Sequence, residues 1–264
     1  MNSTYVKILT VVTSVGFLAF LNIPSTVSQA GPKQAKPKPP AQSSQILSDH
    51  WYTVTIGGTA PYEYYNERLE KKTNRLFLQN HTWKREEEYI NEEQLGAFAE
   101  DNADLTPLFY NFHSTFRSTE LAIDGNVKNG KEITVKIHRG TSDLPVIKKN
   151  LSPRTILSTF FPVWLGRHLA SLKAGQRVSF STLLEDNLEL AFSTVSGSVS
   201  VQKPDEFATK SKTQKIAVTH HGLRSVWWVD STGSAVRIEM PEQNAVVERV
   251  PEEKARAFLG EQVD

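Results

Sequence analysis

Residues 151–175, LSPRTILSTFFPVWLGRHLASLKAG, constrain the fold more than any other stretch of the chain. Apolar side chains recur there in pairs four residues apart: Ile156 and Leu157, Phe160 and Phe161, Trp164 and Leu165, His168 and Leu169, then Leu172. That spacing gives a helix with one wide apolar face. Pro162 cannot donate a backbone N–H and suits a first helical turn. The stretch therefore divides into a short piece over 153–160 and a longer helix beginning near Pro162. Lys173, Ala174 and Gly175 supply a basic last turn and a glycine stop. Nearly everything else reads as strand or turn. A lone apolar helix in a β-rich chain must be buried by a sheet, and a strongly curved antiparallel sheet, a half-barrel wrapped on the helix, does so. Large aromatics on such a helix belong first to the core. The sharper expectation is that Phe160, Phe161 and Trp164 line a pocket for an apolar ligand.

The ends of the chain speak to location. Residues 1–30 have the anatomy of a secretory signal peptide: Lys7, the apolar run 8–21, Pro24, and small residues at Ser28 and Ala30. The run is 14 residues long, short of the roughly 20 that span a bilayer. Membrane proximity is thus expected only through this segment. Residues 31–45, GPKQAKPKPPAQSSQ, hold no side chain large enough to build a core and read as an extended linker. Residues 46–264 are expected to form a single β-rich domain. The chain carries 30 Lys+Arg against 29 Asp+Glu, mixed along its length. No basic stripe is interleaved with aromatics, so a nucleic-acid partner is not expected. With no cysteine anywhere, disulfides, thiolate catalysis and lipoprotein attachment are excluded.

The strands follow from alternation and turn residues. Residues 51–56 alternate, Gly57 and Gly58 turn, and 62–70 return. A long strand is expected from Arg75 to about Tyr89, with the charged end 84–88 facing water on both sides. A turn at 91–94, a strand at 95–99, and strands at 107–117, 121–127 and 133–138 complete a meander of about seven. After the helix come strands at 177–184, 188–202, 214–219, 223–229, 235–240 and 246–250, with a mobile loop at 203–210. A short capped helix over 251–259 closes the domain. No period repeats at fixed length.

Chemistry is sparse. None of the seven histidines pairs at the i, i+4 spacing of a helical zinc site. His220 and His221 are adjacent on a strand and point to opposite faces. His81, His113 and His138 belong to different strands. No GxSxG elbow occurs, and Gly57-Gly58 precedes no helix that would present N–H groups to a phosphate. The consecutive acids Glu86, Glu87 and Glu88 alternate faces; a dispersed acid pair, as in glycosidases, needs no proximity in sequence. No cofactor and no metal is expected. Trp227 and Trp228 are adjacent on a strand, so one ring points in and the other out. The outward Trp228 is a candidate contact for a partner, sugar or lipid, with packing under a loop as the plainer role.

The order of pieces resembles a known kind of domain. The stretches WYTVTIGGTAPYEYYNERLEKKTNRLFL, DNADLTPLFYNFHST and VKNGKEITVKI, then the apolar helix with LKAGQRVSF, then VWWVDSTGSAVRIEMPEQNAVVERV, are similar to an exported bacterial β-domain family of unknown function. They also resemble the β-module found beside transglutaminase-like, papain-fold domains. The resemblance covers about residues 50–250 and implies a curved antiparallel sheet wrapped on a helix. It transfers no catalytic residue, and the missing cysteine separates this chain from the papain-fold neighbours. The functional expectation is a non-enzymatic envelope protein, periplasmic or secreted in a bacterium. It would act as a binding or assembly module holding a lipid-like ligand between sheet and helix, at Phe160, Phe161, Trp164 and Trp228. The alternatives are a protein-interaction module serving a peptidoglycan or papain-fold enzyme in trans, and a secreted hydrolase with dispersed acids.

Overall fold

Alternating apolar and polar side chains, punctuated by Gly, Asn and Asp, produce the strands of one curled sheet. The computed structural model describes residues 44–58, 61–86, 89–116, 119–188 and 192–257. The signal peptide and nearly all of the linker lie outside the described residues. Strand β1 (Ser44–Ile56) opens a meander with β2 (Pro61–Lys72), β3 (Arg75–Glu86), β4 (Tyr89–Glu100), β5 (Pro107–Phe116), β6 (Thr119–Lys128) and β7 (Glu132–Arg139). Two short strands, β8 (Ser142–Asp143) and β9 (Ile147–Asn150), both pair with β7. The second half comprises β10 (Thr155–Leu157), β11 (Arg177–Leu183), β12 (Thr194–Val201), β13 (Gln214–His220), β14 (Leu223–Val229), β15 (Ala235–Met240) and β16 (Ala245–Val250). Helix α1 (Phe161–Leu169) lies in the hollow, α2 (Glu206–Ser211) on the outer face, and α3 (Glu252–Arg256) follows β16.

The sheet order is β10 to β16, then β1 to β8, so the two halves of the chain meet where β16 pairs with β1. Every pairing between named strands is antiparallel except β10 with β11. The two edges, at β9 and β10, are consecutive in the chain. Side chains, rather than a ladder, tie β9 and Ser152, just beyond it, to the start of β12: Lys149 Nζ donates to Ser193 Oγ at 3.0 Å, and the Ser152 N–H donates to Thr194 Oγ1 at 3.3 Å. The sheet is curled but not closed, as a half-barrel wrapped on a helix should be.

Four local expectations need correction. The pairs assigned to a helix at Ile156 and Leu157 form β10, because they add to the edge of β11 in parallel register, Thr155↔Ser181 to Leu157↔Leu183. A 3₁₀ turn over Ser158–Phe160 then leads into α1, with Pro162 in its first turn. Residues 91–94 are no turn: β4 runs through them, and Lys84 is buried on the concave face instead of standing at a solvated strand end. The loop expected at 203–210 contains α2, nucleated by Asp205, whose side chain accepts the Ala208 N–H at 2.8 Å. Finally β12 begins at Thr194, not at 188.

Candidate functional site: the polar end of the hollow

Antiparallel register sets residues from neighbouring strands side by side in rows on the concave face. Glu63, Lys84 and Asn91 form one row. Tyr65, Thr82, Glu93 and Ser114 form the next, followed by Glu67, Asn80, Leu95 and Phe112. Below them come Leu69, Leu78, Ala97 and Tyr110. Along the barrel axis the lining thus changes from charged and polar to apolar within four rows, save for the buried Tyr110 hydroxyl.

Helix α1 occupies the apolar half. Phe161 packs on Phe180 with ring centroids 4.7 Å apart and meets Trp227 edge-on at 5.2 Å; Trp164 lies 5.4 Å from Phe180. Arg167 bonds the Asp101 carboxylate at 2.5 Å and the Asn102 carbonyl, both on the β4–β5 turn. Gly166 lies against Thr232 and Gly233 on the β14–β15 turn. In an antiparallel meander these turns lie at one end of the hollow, and the β1–β2, β3–β4 and β5–β6 hairpins at the other. The polar rows belong to the second end, away from the helix.

The polar end is dense in charge and short of partners. Lys84 Nζ lies 3.6 Å from Glu63 Oε2 and 3.9 Å from Glu93 Oε1, and all three side chains are buried. Among the described residues, both Glu93 carboxylate oxygens, both amide atoms of Asn91, Thr82 Oγ1 and Asn80 Oδ1 have no hydrogen-bond partner. Asn91 is 2 % exposed, Thr82 0 % and Glu93 1 %, so bulk water does not serve them. Each such group costs about 1–3 kcal/mol, and native folds keep few of them. Here they share one face and adjoin one another.

The floor of this end is polar too. Asn80 Nδ2 donates to Thr159 Oγ1 at 3.4 Å, and Glu185 accepts from Ser158 Oγ at 2.5 Å and the Thr159 N–H at 3.1 Å. Burial pushes the Glu67 and Glu185 carboxyls up to about 7. On the facing wall His220 Nε2 lies 2.7 Å from Thr182 Oγ1, and burial holds its imidazole down to about 4.

Of the residues singled out in the sequence, Phe160, Phe161 and Trp164 are core side chains around α1. Trp228 is on the outer face and buried beneath α2: its Nε1 donates to Asp205 Oδ1 at 3.1 Å, and Phe207 meets its ring edge-on at 5.6 Å. The structure therefore brings the first three together and leaves Trp228 on the other side of the sheet. Trp51, Tyr64 and Trp83 stack on the outer face too, with Arg256 of α3 over Trp51. His81 pairs with Glu92 and His138 with Asp143. Sequence reasoning missed Glu63, Asn80, Thr82, Lys84, Asn91 and Glu93. The available signal was phase: positions 80, 82 and 84 share the period-2 phase of buried Leu76 and Leu78, and 91 and 93 that of Leu95 and Ala97.

No protein-family model and no curated protein matches the chain. Two solved structures resemble it. One is a β-barrel-like protein of the domain of unknown function DUF1849 from Brucella abortus, 13% identical, with a TM-score of 0.50 over 76% of this chain and 95% of that chain. The other is a DUF1089 family protein from Pseudomonas aeruginosa, 15% identical, with a TM-score of 0.38 over 72% of this chain and 93% of that one. The first likeness is one of fold, a barrel-like curled sheet, at an identity too low to carry residues across.

Proposed function

We propose that this protein is a non-enzymatic binding module of the bacterial envelope, exported on residues 1–30, that holds a small ligand in the polar end of its hollow. The observation that carries this reading is the set of buried side chains without hydrogen-bond partners, Thr82, Asn91 and Glu93, on one face of β3 and β4. A fold keeps such groups together where something other than the fold satisfies them. The ligand moves from the apolar half, where the sequence reading put it, because Phe161, Phe180 and Trp227 fill that half by packing on one another. Binding rather than turnover is supported by the placement of Glu63 and Glu93 on either side of one ammonium, which fixes charge in place. The relation to transglutaminase-like proteins rests on the sequence resemblance alone.

Native mass spectrometry of the protein recovered from the periplasm without detergent tests the reading. A reproducible extra mass of a small polar compound is expected, and it is lost when Thr82→Val and Asn91→Leu are combined. A bare mass in both proteins counts against a ligand in the hollow.

A second reading, an interaction module for an envelope enzyme in trans, draws on the outer-face stack of Trp51, Tyr64 and Trp83. Crosslinking in intact cells from position 51 or 83 is expected to trap one specific protein if this reading holds. Failure to trap any would retire it.

A further inference from the structure

We infer that the ligand of the polar end carries a protonated amine: a small organic ammonium compound anchored on the Glu93 carboxylate and flanked by Asn91 and Thr82. The inference rests on the binding reading above and gives it a chemical class.

Two counts lead to it. The first is charge. Among the described residues, Lys84 lies 3.6 Å from Glu63 and 3.9 Å from Glu93, and neither Glu93 oxygen has a hydrogen-bond partner. Lys84 Nζ is thus beyond hydrogen-bond reach of Glu93, whose two buried oxygens keep room for a further donor. Glu67, one row further in, keeps its proton to higher pH because it is buried. A positively charged ligand gives the buried Glu93 carboxylate a hydrogen-bonded counter-charge, which a buried charge needs.

The second count is of donors and acceptors. Four of the partnerless atoms only accept: both Glu93 oxygens, Asn91 Oδ1 and Asn80 Oδ1. One, Asn91 Nδ2, only donates, and the Thr82 hydroxyl does either. The complement of an acceptor-rich surface is a donor-rich group. An ammonium offers three donors and no acceptor, whereas water or a ligand hydroxyl offers fewer donors and no charge.

The test is thermal unfolding of the full chain with four probes: ethanolamine, its neutral analogue ethylene glycol, its anionic analogue glycolate, and potassium chloride at matched ionic strength. Ethanolamine is expected to raise Tm with the logarithm of its concentration, by about 5–10 °C at a hundredfold excess over its Kd. The other three should leave Tm unchanged. In Glu93→Gln the ethanolamine shift should vanish while the unliganded Tm stays near or above that of the parent. If Glu93→Gln does not fold, Asn91→Leu serves, with the shift cut at least tenfold in apparent Kd. A shift with ethylene glycol, glycolate or potassium equal to that with ethanolamine overturns the ammonium class and leaves the binding reading standing. So does an ethanolamine shift that survives Glu93→Gln. No shift with any probe, together with a bare native mass, overturns both.

Discussion

At the scale of single residues, the buried titratable groups fix how stability must vary with pH. Glu67 and Glu185 titrate near 7 in the folded protein, against 4.5 for an exposed glutamate. Between those values the native state holds two protons that the unfolded chain has released. Stability therefore falls as pH rises through that window and levels off above 7. His220 acts in the opposite sense: native His220 stays neutral down to about 4, while an unfolded imidazole protonates below 6.5. Stability contributed by His220 thus rises with pH between 4 and 6.5. His50, lowered by burial and by Arg249, adds to that rise; His138, raised by its bond to Asp143, contributes stability that is lost only as pH climbs above 6.5. The two acids outweigh His220 and the lesser shift of His50, so a net fall from pH 5 to pH 7 remains, steepest above 6.5, where neither imidazole opposes it. Each glutamate contributes on the order of 3 kcal/mol to it. Urea midpoints at pH 5, 6 and 7 should show the fall, and combining Glu67→Gln with Glu185→Gln should replace it with the shallower His220 rise. A midpoint that climbs in the parent protein would contradict the burial of these two acids. This behaviour was not legible in the sequence. Glu67 is flanked by the polar Asn66 and Arg68 and Glu185 lies in a turn, so no local contrast between faces marked either as buried.

At the scale of elements, α1 is held at both ends of its exit turn by contacts that helix propensity alone would not select. Alanine at position 166 would favour an isolated helix by about 1 kcal/mol. Here, however, a Cβ on Gly166 would lie 1.9 Å from the Thr232 carbonyl oxygen and 2.6 Å from its carbon, both backbone atoms that have little room to move. Gly233, at φ 88°, adopts a left-handed conformation to bring the β14–β15 turn this close. Gly166→Ala is therefore expected to destabilise by about 1–3 kcal/mol, read as a lowered urea midpoint with unchanged slope. A stabilised variant would mean that the helix does not sit on that turn. The outer face offers a companion test. Trp228→Ala removes a buried ring that accepts Phe207 and Lys215 and bonds Asp205, so a loss of about 3–5 kcal/mol is expected. Ligand uptake in the hollow should persist in the folded fraction. The helix start at Pro162 and the hairpin at Gly57-Gly58 were legible because both follow from local backbone chemistry. The true fate of Ile156 and Leu157 was not, since a three-residue edge strand and a helical turn share the same apolar pair.

At the scale of the whole molecule, the organising contact is the one the sequence announces least. Hairpins can be read locally, and most strands of the meander were. The pairing of β16 with β1, Trp51↔Val250 through Ile56↔Ala245, joins residues almost a full chain apart, and no pattern of alternation names the partner. Yet this seam unites the two halves of the sheet. Elsewhere they meet through side chains, at Lys149 with Ser193, and through α1, which grips Asp101 of the first half and Thr232 of the second. Val247 sits at the middle of the seam, buried opposite Val54 on one side and Ile238 on the other. Proline there removes a ladder N–H from an interior strand, and a loss of about 3 kcal/mol or more is expected. Because one buried cluster runs through both halves and α1 packs on Phe180 and Trp227 of the second while bonding Asp101 of the first, neither half keeps a core when the seam weakens. Val247→Pro should therefore lower the urea midpoint equally by tryptophan fluorescence and by far-UV circular dichroism, preserving a single transition. Two separated transitions would show instead that each half folds on its own and that the helix belongs to only one of them.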